Sequence, residues 1–223
     1  MDRIENLLNR PKAYYNVDGV GELGIGFMCL SFALLGWLQV SSPEHSVWNG
    51  MIPFIIFIGL VTSIIHYGSK AIKNRITYPR TGFVEYRKRD TLWLPMILGF
   101  AVSAAVSAGV AIGIKKRWSL TTPASLVGLF FAATYAYGIA RTVRWKWAVA
   151  GVMALGSIAI AMLPADAVGA VANHSWITRI APARLYGAFW LNMALYGALT
   201  LISGGVSLCL YLRHTQAPAQ ESQ

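Results

Sequence analysis

Residues 183 to 212, ARLYGAFWLNMALYGALTLISGGVSLCLYL, hold no charge after Arg184 and outlast the roughly 20 apolar residues that a helix needs to cross a bilayer's hydrocarbon core. Its polar residues are not scattered. Asn192, Tyr196, Thr200 and Ser203 recur every three or four positions, the helical repeat, so they share one face. A polar face on a helix in lipid turns toward other helices, because the hydrocarbon offers no hydrogen-bond partner. The stretch therefore predicts a membrane-spanning helix inside a bundle.

Five more runs read the same way: roughly 20 to 40, 47 to 68, 92 to 114, 120 to 140 and 147 to 163. The expected fold is all-α, a polytopic transmembrane bundle of about six spans over residues 20 to 212. Residues 1 to 19 form a cytoplasmic amphipathic lead, 69 to 91 a basic cytoplasmic loop, and 213 to 223 a disordered tail. Only 13% of the 223 residues are charged and 56% are hydrophobic, against about a quarter charged in soluble domains. The connections are too short for a folded soluble domain, and the charged lead is too long for a cleavable signal's n-region.

Most of the 19 Lys and Arg fall on the side that holds both termini, with Lys115, Lys116, Arg117, Arg179 and Arg184 on the other. The positive-inside rule then puts both ends in the cytoplasm; the cluster at 115 to 117 is the exception, and it keeps a five-span reading open. The net charge of +10 is explained by headgroup-facing helix ends and does not call for nucleic acid.

Small residues recur every fourth position in the third span (Gly99, Ser103, Ser107, Ala111) and the fourth (Gly128, Ala132, Ala136, Ala140), which predicts that these two stripes face each other in a tight hairpin. Along the sixth span, interhelical hydrogen bonding is the first expectation. The sharper one is a polar cavity lined by Asn192, Tyr196 and Thr200 with His66, and Thr62 beside it. Glu22 and His66 are the main ionisable residues of the spans, and both can be accommodated at the interface.

Between the second and third spans, KNRITYPRTGFVEYRKR (73 to 89) alternates aromatics with cations. Ile76-Thr77-Tyr78 and Phe83-Val84-Glu85-Tyr86 flank Pro79-Arg80-Thr81-Gly82, which predicts a short hairpin. Arg75, Tyr78, Arg80, Tyr86, Arg87, Lys88 and Arg89 are the candidate contacts for a partner protein or an anionic headgroup; a plain topology anchor is the simpler use of the same residues. The TYPRTGFVEY centre resembles a cytoplasmic loop of uncharacterised bacterial multi-spanning inner-membrane proteins. The resemblance implies a bacterial inner-membrane location and carries no activity, ligand or partner.

Catalysis has little to stand on. There is no paired carboxylate set, no H-E-x-x-H and no G-x-S-x-G, and Asp166 and His174 are too isolated for acid-base work. The histidines lack zinc spacing, and Cys29 and Cys209 fall inside spans, so neither metal, cofactor nor disulfide is expected. The expected function is non-enzymatic: a bundle that binds lipid or a partner, or another copy of itself, through its basic loop. The alternative is a small-solute transporter or channel using the polar face of the sixth span.

Overall fold

A computed structural model describes residues 18–43, 45–77, 79, 121–139, 143–164, 167–168 and 183–214. Among these residues the chain is all-helical: α1 (Val20–Ser41), α2 (Met51–Ile72), α3 (Thr121–Gly138), α4 (Lys146–Met162) and α5 (Ala183–His214). A short 3₁₀ turn, Val47–Asn49, links α1 to α2, where the Ser46 side chain accepts from the Trp48 amide at 3.3 Å. Three segments are long and apolar enough to cross a membrane, Val20–Gln39, Ile52–Thr77 and Gly187–His214, which marks a membrane protein. The predicted third span, with its Gly99 to Ala111 stripe, lies outside the described residues, as do the lead up to residue 17, the loop beyond Pro79 and the tail from 215 onward; Arg213 and His214, expected in the tail, are the last residues of α5.

The distribution of side chains is the inverse of a soluble protein's. Ile25, Leu34, Ile52, Ile56, Leu60 and Ile64 are exposed, whereas Gln39, Ser157, Asn192 and Ser203 are buried. Apolar groups outside and polar groups within suit a hydrocarbon surround, where only the interior supplies hydrogen bonds.

The most extensive packing joins α1 and α5, which run antiparallel. Since hydrocarbon contributes no hydrophobic drive between helices, this contact depends on close approach. Glycines provide it. A Cβ on Gly26 would stand 2.7 Å from the Leu201 amide nitrogen, one on Gly197 2.7 Å from that of Leu30, and one on Gly204 2.8 Å from that of Leu23. On each helix the glycines are two turns apart, Gly19 and Gly26 against Gly197 and Gly204. Gly19, with φ of 73°, adopts the left-handed conformation just ahead of α1 and leaves room for the Gly204 carbonyl. Around this seam Cys29, Ala132, Tyr135, Ala150, Met153, Trp190, Met193 and Tyr196 form the main core, drawing in α3 and α4. α2 packs beside α1 and is mostly exposed.

The expected hairpin and the start of its loop are corrected. Ile76 and Thr77 of the predicted hairpin's first strand are helical: α2 continues through a π-helical turn, Lys73–Thr77, so the basic loop does not begin at 69. Tertiary contacts override the β-propensity of Ile76 and Thr77, with Lys73 pairing with Asp18 and the Thr77 carbonyl accepting from the Tyr211 hydroxyl at 3.2 Å. The predicted partner of the stripe on α3 lies outside the described residues; among those described, the stripe's first glycine packs on α4 and α5. Gly128 lies against Ser157 of α4 and Asn192 of α5, and a Cβ there would meet the Ser157 side chain at 2.3 Å.

Candidate functional site: a buried ionic centre

The start of α1, the end of α2, the end of α3, the start of α4 and the last third of α5 meet at one end of the bundle. Glu22, in the first turn of α1, is 3% exposed there. Its Oε1 accepts from the Lys146 ammonium at the start of α4, itself 1% exposed. Its Oε2 accepts from the Ser203 hydroxyl at 2.5 Å and from the Tyr135 hydroxyl at 3.2 Å. Tyr135 and Ser203 lie 2.6 Å from each other. One carboxylate thus joins four helices, and the Lys146 ammonium also stands 5.8 Å from the centroid of the Trp145 ring.

Asp18 lies in the turn just ahead of α1, across left-handed Gly19 from Glu22. Its Oδ1 accepts from the Val20 amide at 3.2 Å, and its Oδ2 lies 3.9 Å from the Lys73 ammonium. Burial pushes the Asp18 carboxyl above the ordinary aspartate range, and the nearby Lys73 charge opposes that rise. Asp18 and Glu22 are the only acids whose side chains are described, and both are buried.

The cations divide differently. Every Lys or Arg side chain among the described residues belongs to this same end: Lys73 and Lys146 are buried, while Lys70, Arg75, Arg144 and Arg213 are exposed. Among the described residues the outer face of this end is therefore cationic, its acids being turned inward against two lysines.

Deeper along α5 lies a neutral polar layer. Tyr196 donates to the Gly128 carbonyl and stands 3.3 Å from the Ser157 hydroxyl, which donates to the Met153 carbonyl at 2.9 Å. Asn192 donates to the Ala188 carbonyl at 2.8 Å, and Thr200 to the Tyr196 carbonyl at 2.6 Å. The Asn192 Oδ1 has no hydrogen-bond donor and abuts the Cα side of Gly128, 2.9 Å from where a Cβ would be. It is the unsatisfied group of this layer. Cα–H contacts of this kind recur where helices approach closely.

Of the residues predicted to share a cavity, Asn192, Tyr196 and Thr200 come together inside the bundle, filled in by Ser157 and Gly128. His66 does not join them. It lies on the exposed face of α2, edge-on to the Tyr67 ring at 5.3 Å, and Thr62 is likewise exposed. Glu22, expected at the interface, is enclosed instead. Of the predicted loop contacts, Arg75 is exposed on the π-helical turn; Tyr78, Arg80, Tyr86, Arg87, Lys88 and Arg89 lie outside the described residues. A small crevice between α1 and α2 is mainly apolar, with Met28, Phe32, Phe57 and Val61 among its walls. Among the described residues no three of His, Cys, Asp and Glu gather as metal ligands.

Lys146 and Tyr135 escaped the sequence reading, which counted Lys146 as one more surface charge. A signal was there. Glu22 just inside the first span and Lys146 at the start of the fifth fall at the same end under the predicted topology, and an acid and a base at one membrane depth are natural partners. In comparisons with known proteins, no family model, no curated protein and no solved structure matches this chain.

Proposed function

We propose that the chain is a six-span protein of a bacterial inner membrane, with both termini cytoplasmic, that binds anionic lipid or a partner protein through the cationic end of its bundle and catalyses no reaction. The observation that supports this reading is the sorting of charge at that end. Lys70, Arg75, Arg144 and Arg213 face outward while Asp18 and Glu22 are buried, so an approaching surface meets positive charge without the compensating carboxylates. Such a face attracts anionic headgroups at roughly 1 kcal/mol per cation near the surface. The basic stretch at 80 to 89 would enlarge it.

The test is lipid retention. Native mass spectrometry of protein released from nanodiscs of mixed phosphatidylglycerol and phosphatidylcholine should show phosphatidylglycerol enriched on the wild type and lost from a K70Q/R75Q/R144Q/R213Q variant. Equal retention of the two lipids by the wild type would refute lipid binding at this face, and labelling of a cysteine at position 75 from outside intact cells would refute the orientation. Solute transport along the Asn192, Tyr196 and Thr200 face is the second reading, supported by the burial of those polar groups; flux through liposomes that survives N192L unchanged would remove that lining.

A further inference from the structure

The ionic centre has an asymmetry that stability does not require. Both of its carboxylates come from one short stretch, Glu22 from the first turn of α1 and Asp18 from the turn just ahead of it, and the donors that meet them come from four other places: Lys73 after α2, Tyr135 of α3, Lys146 of α4 and Ser203 of α5. If joining helices were its whole task, apolar residues of similar volume would serve as well, since the desolvation of two charges commonly cancels what their attraction returns. Further along, the α1/α5 seam of the same molecule is closed at Gly26 and Gly197 by backbone approach to Leu201 and Leu30, with no charge involved. What the centre does hold is a set of donors with two ammonium groups and two hydroxyls, currently filled by two acids close together in the chain, at the start of α1 and just ahead of it.

We infer that Lys146, Tyr135, Ser203 and Lys73 form an oxyanion-binding site, for a phosphate or carboxylate group, which Glu22 of α1 and Asp18 just ahead of it occupy as internal stand-ins. The chemistry of the donors fits such a ligand. An ammonium and two hydroxyls on one carboxylate are the charge-assisted hydrogen bonds by which proteins hold phosphate and carboxylate oxygens. The approach fits as well. The four exposed cations surround the end of the bundle at which the site lies, and a surface of one sign concentrates anions there while repelling competing cations. Lys73 and Asp18, at 3.9 Å, are the looser of the two pairs and the nearer to that end, so an entering anion meets the weaker pair first. An oxyanion that displaces Glu22 from Lys146 frees α1 from α3 and α4 while leaving its glycine seam with α5 intact, which couples ligand binding to the seating of one helix. This site is distinct from the surface reading above: the outer cations gather anions, and the buried donors bind one.

Replacing the internal anion should open the site. E22Q keeps the size of the side chain and removes its charge, so inorganic phosphate, measured by titration calorimetry on the detergent-solubilised protein, should bind at least about tenfold more tightly than to the wild type. E22Q/K146M, in which no charge is left uncompensated, should lose that gain. The second arm uses nanodiscs containing phosphatidic acid: a gain seen with free phosphate assigns the site to soluble oxyanions, whereas a gain confined to phosphatidic acid assigns it to lipid headgroups. No gain with either probe overturns the inference, as does a gain that persists in E22Q/K146M. D18N supplies the same comparison for the Lys73 half if E22Q does not fold, with D18N/K73M as its control. The surface variant K70Q/R75Q/R144Q/R213Q separates the two claims, because adding E22Q to it should still tighten phosphate binding even where lipid enrichment at the outer face is absent.

Discussion

Two polar layers lie on one face of α5, about two turns apart, and they are built in opposite ways. In the layer of Asn192, Tyr196 and Thr200, the donors go to backbone carbonyls, most of them one turn back on α5 itself. In the layer of Ser203, they go to a carboxylate on another helix, where a lysine from a third and a tyrosine from a fourth converge. The first layer removes polar groups from lipid at small cost and ties little together. The second makes four helices depend on one another through charges that are expensive to bury alone.

The comparison is broken most forcefully at Lys146. K146M leaves the Glu22 carboxylate buried without its counter-ion, and the expected loss is about 3 to 5 kcal/mol. Unfolding in mixed micelles by added SDS measures it. The double variant E22Q/K146M should recover most of that loss, since neither charge then remains to be desolvated. Equal losses in the single and double variants would mean that the lysine acts through its packing and not through its charge.

Next in size is the seam that brings α1 and α5 together beside both layers. G204V forces a side chain toward the Leu23 backbone nitrogen, which stands 2.8 Å from the position of a Cβ. Backbone cannot yield as a side-chain tip can, so a loss at the upper end of about 1 to 3 kcal/mol is expected in the same assay. G205V is the control, because a Cβ at Gly205 meets nothing within 4 Å.

N192L addresses the neutral layer directly. It removes one bond to the Ala188 carbonyl together with an unsatisfied buried oxygen, two effects of opposite sign. Stability should change by less than about 1 kcal/mol, since the bond lies within α5 and holds no second helix. A loss as large as that of K146M would show that the neutral layer is as structural as the ionic one.

How much of this could be read in advance follows from which interactions are local. The positions of α1, α3, α4 and α5 and the inward polar face at Asn192, Tyr196, Thr200 and Ser203 are legible because hydropathy and helical spacing are properties of consecutive residues. Which helices meet is not. Gly128 and Ala132 advertise a close contact but do not say with whom, and Ser157, the actual neighbour of Gly128, is an ordinary serine in an apolar run. Gly19 and Gly26 against Gly197 and Gly204 match in spacing, yet that match acquires meaning only when α1 and α5 are placed side by side. His66 and Glu22 look equivalent as single ionisable residues near span ends; one is exposed on α2 and the other enclosed by three donors, a difference set by residues more than 100 positions away. The end of α2 was misread for the same reason, as Ile76 and Thr77 favour strand locally and are held helical by contacts with α1 and α5.

The smallest effect expected is also the one whose sign distinguishes the surroundings of Asp18 from those of an ordinary surface carboxylate. Asp18 sits outside the apolar part of α1, and burial raises its carboxyl above the ordinary value of 3.8 in spite of Lys73. The folded protein therefore holds the Asp18 proton more firmly than the unfolded chain does. The stabilisation linked to that proton is complete below 3.8 and is lost as pH rises through the higher value of the folded state. A typical salt-bridged aspartate behaves in the opposite manner, gaining stability over the same rise. D18N, which cannot titrate, is the reference that cancels every other group: between pH 4 and neutrality, wild-type stability should fall relative to D18N in the SDS assay. If the wild type instead gains on D18N as pH rises, the Lys73 charge outweighs burial at Asp18, and the outer half of the centre is a conventional ion pair.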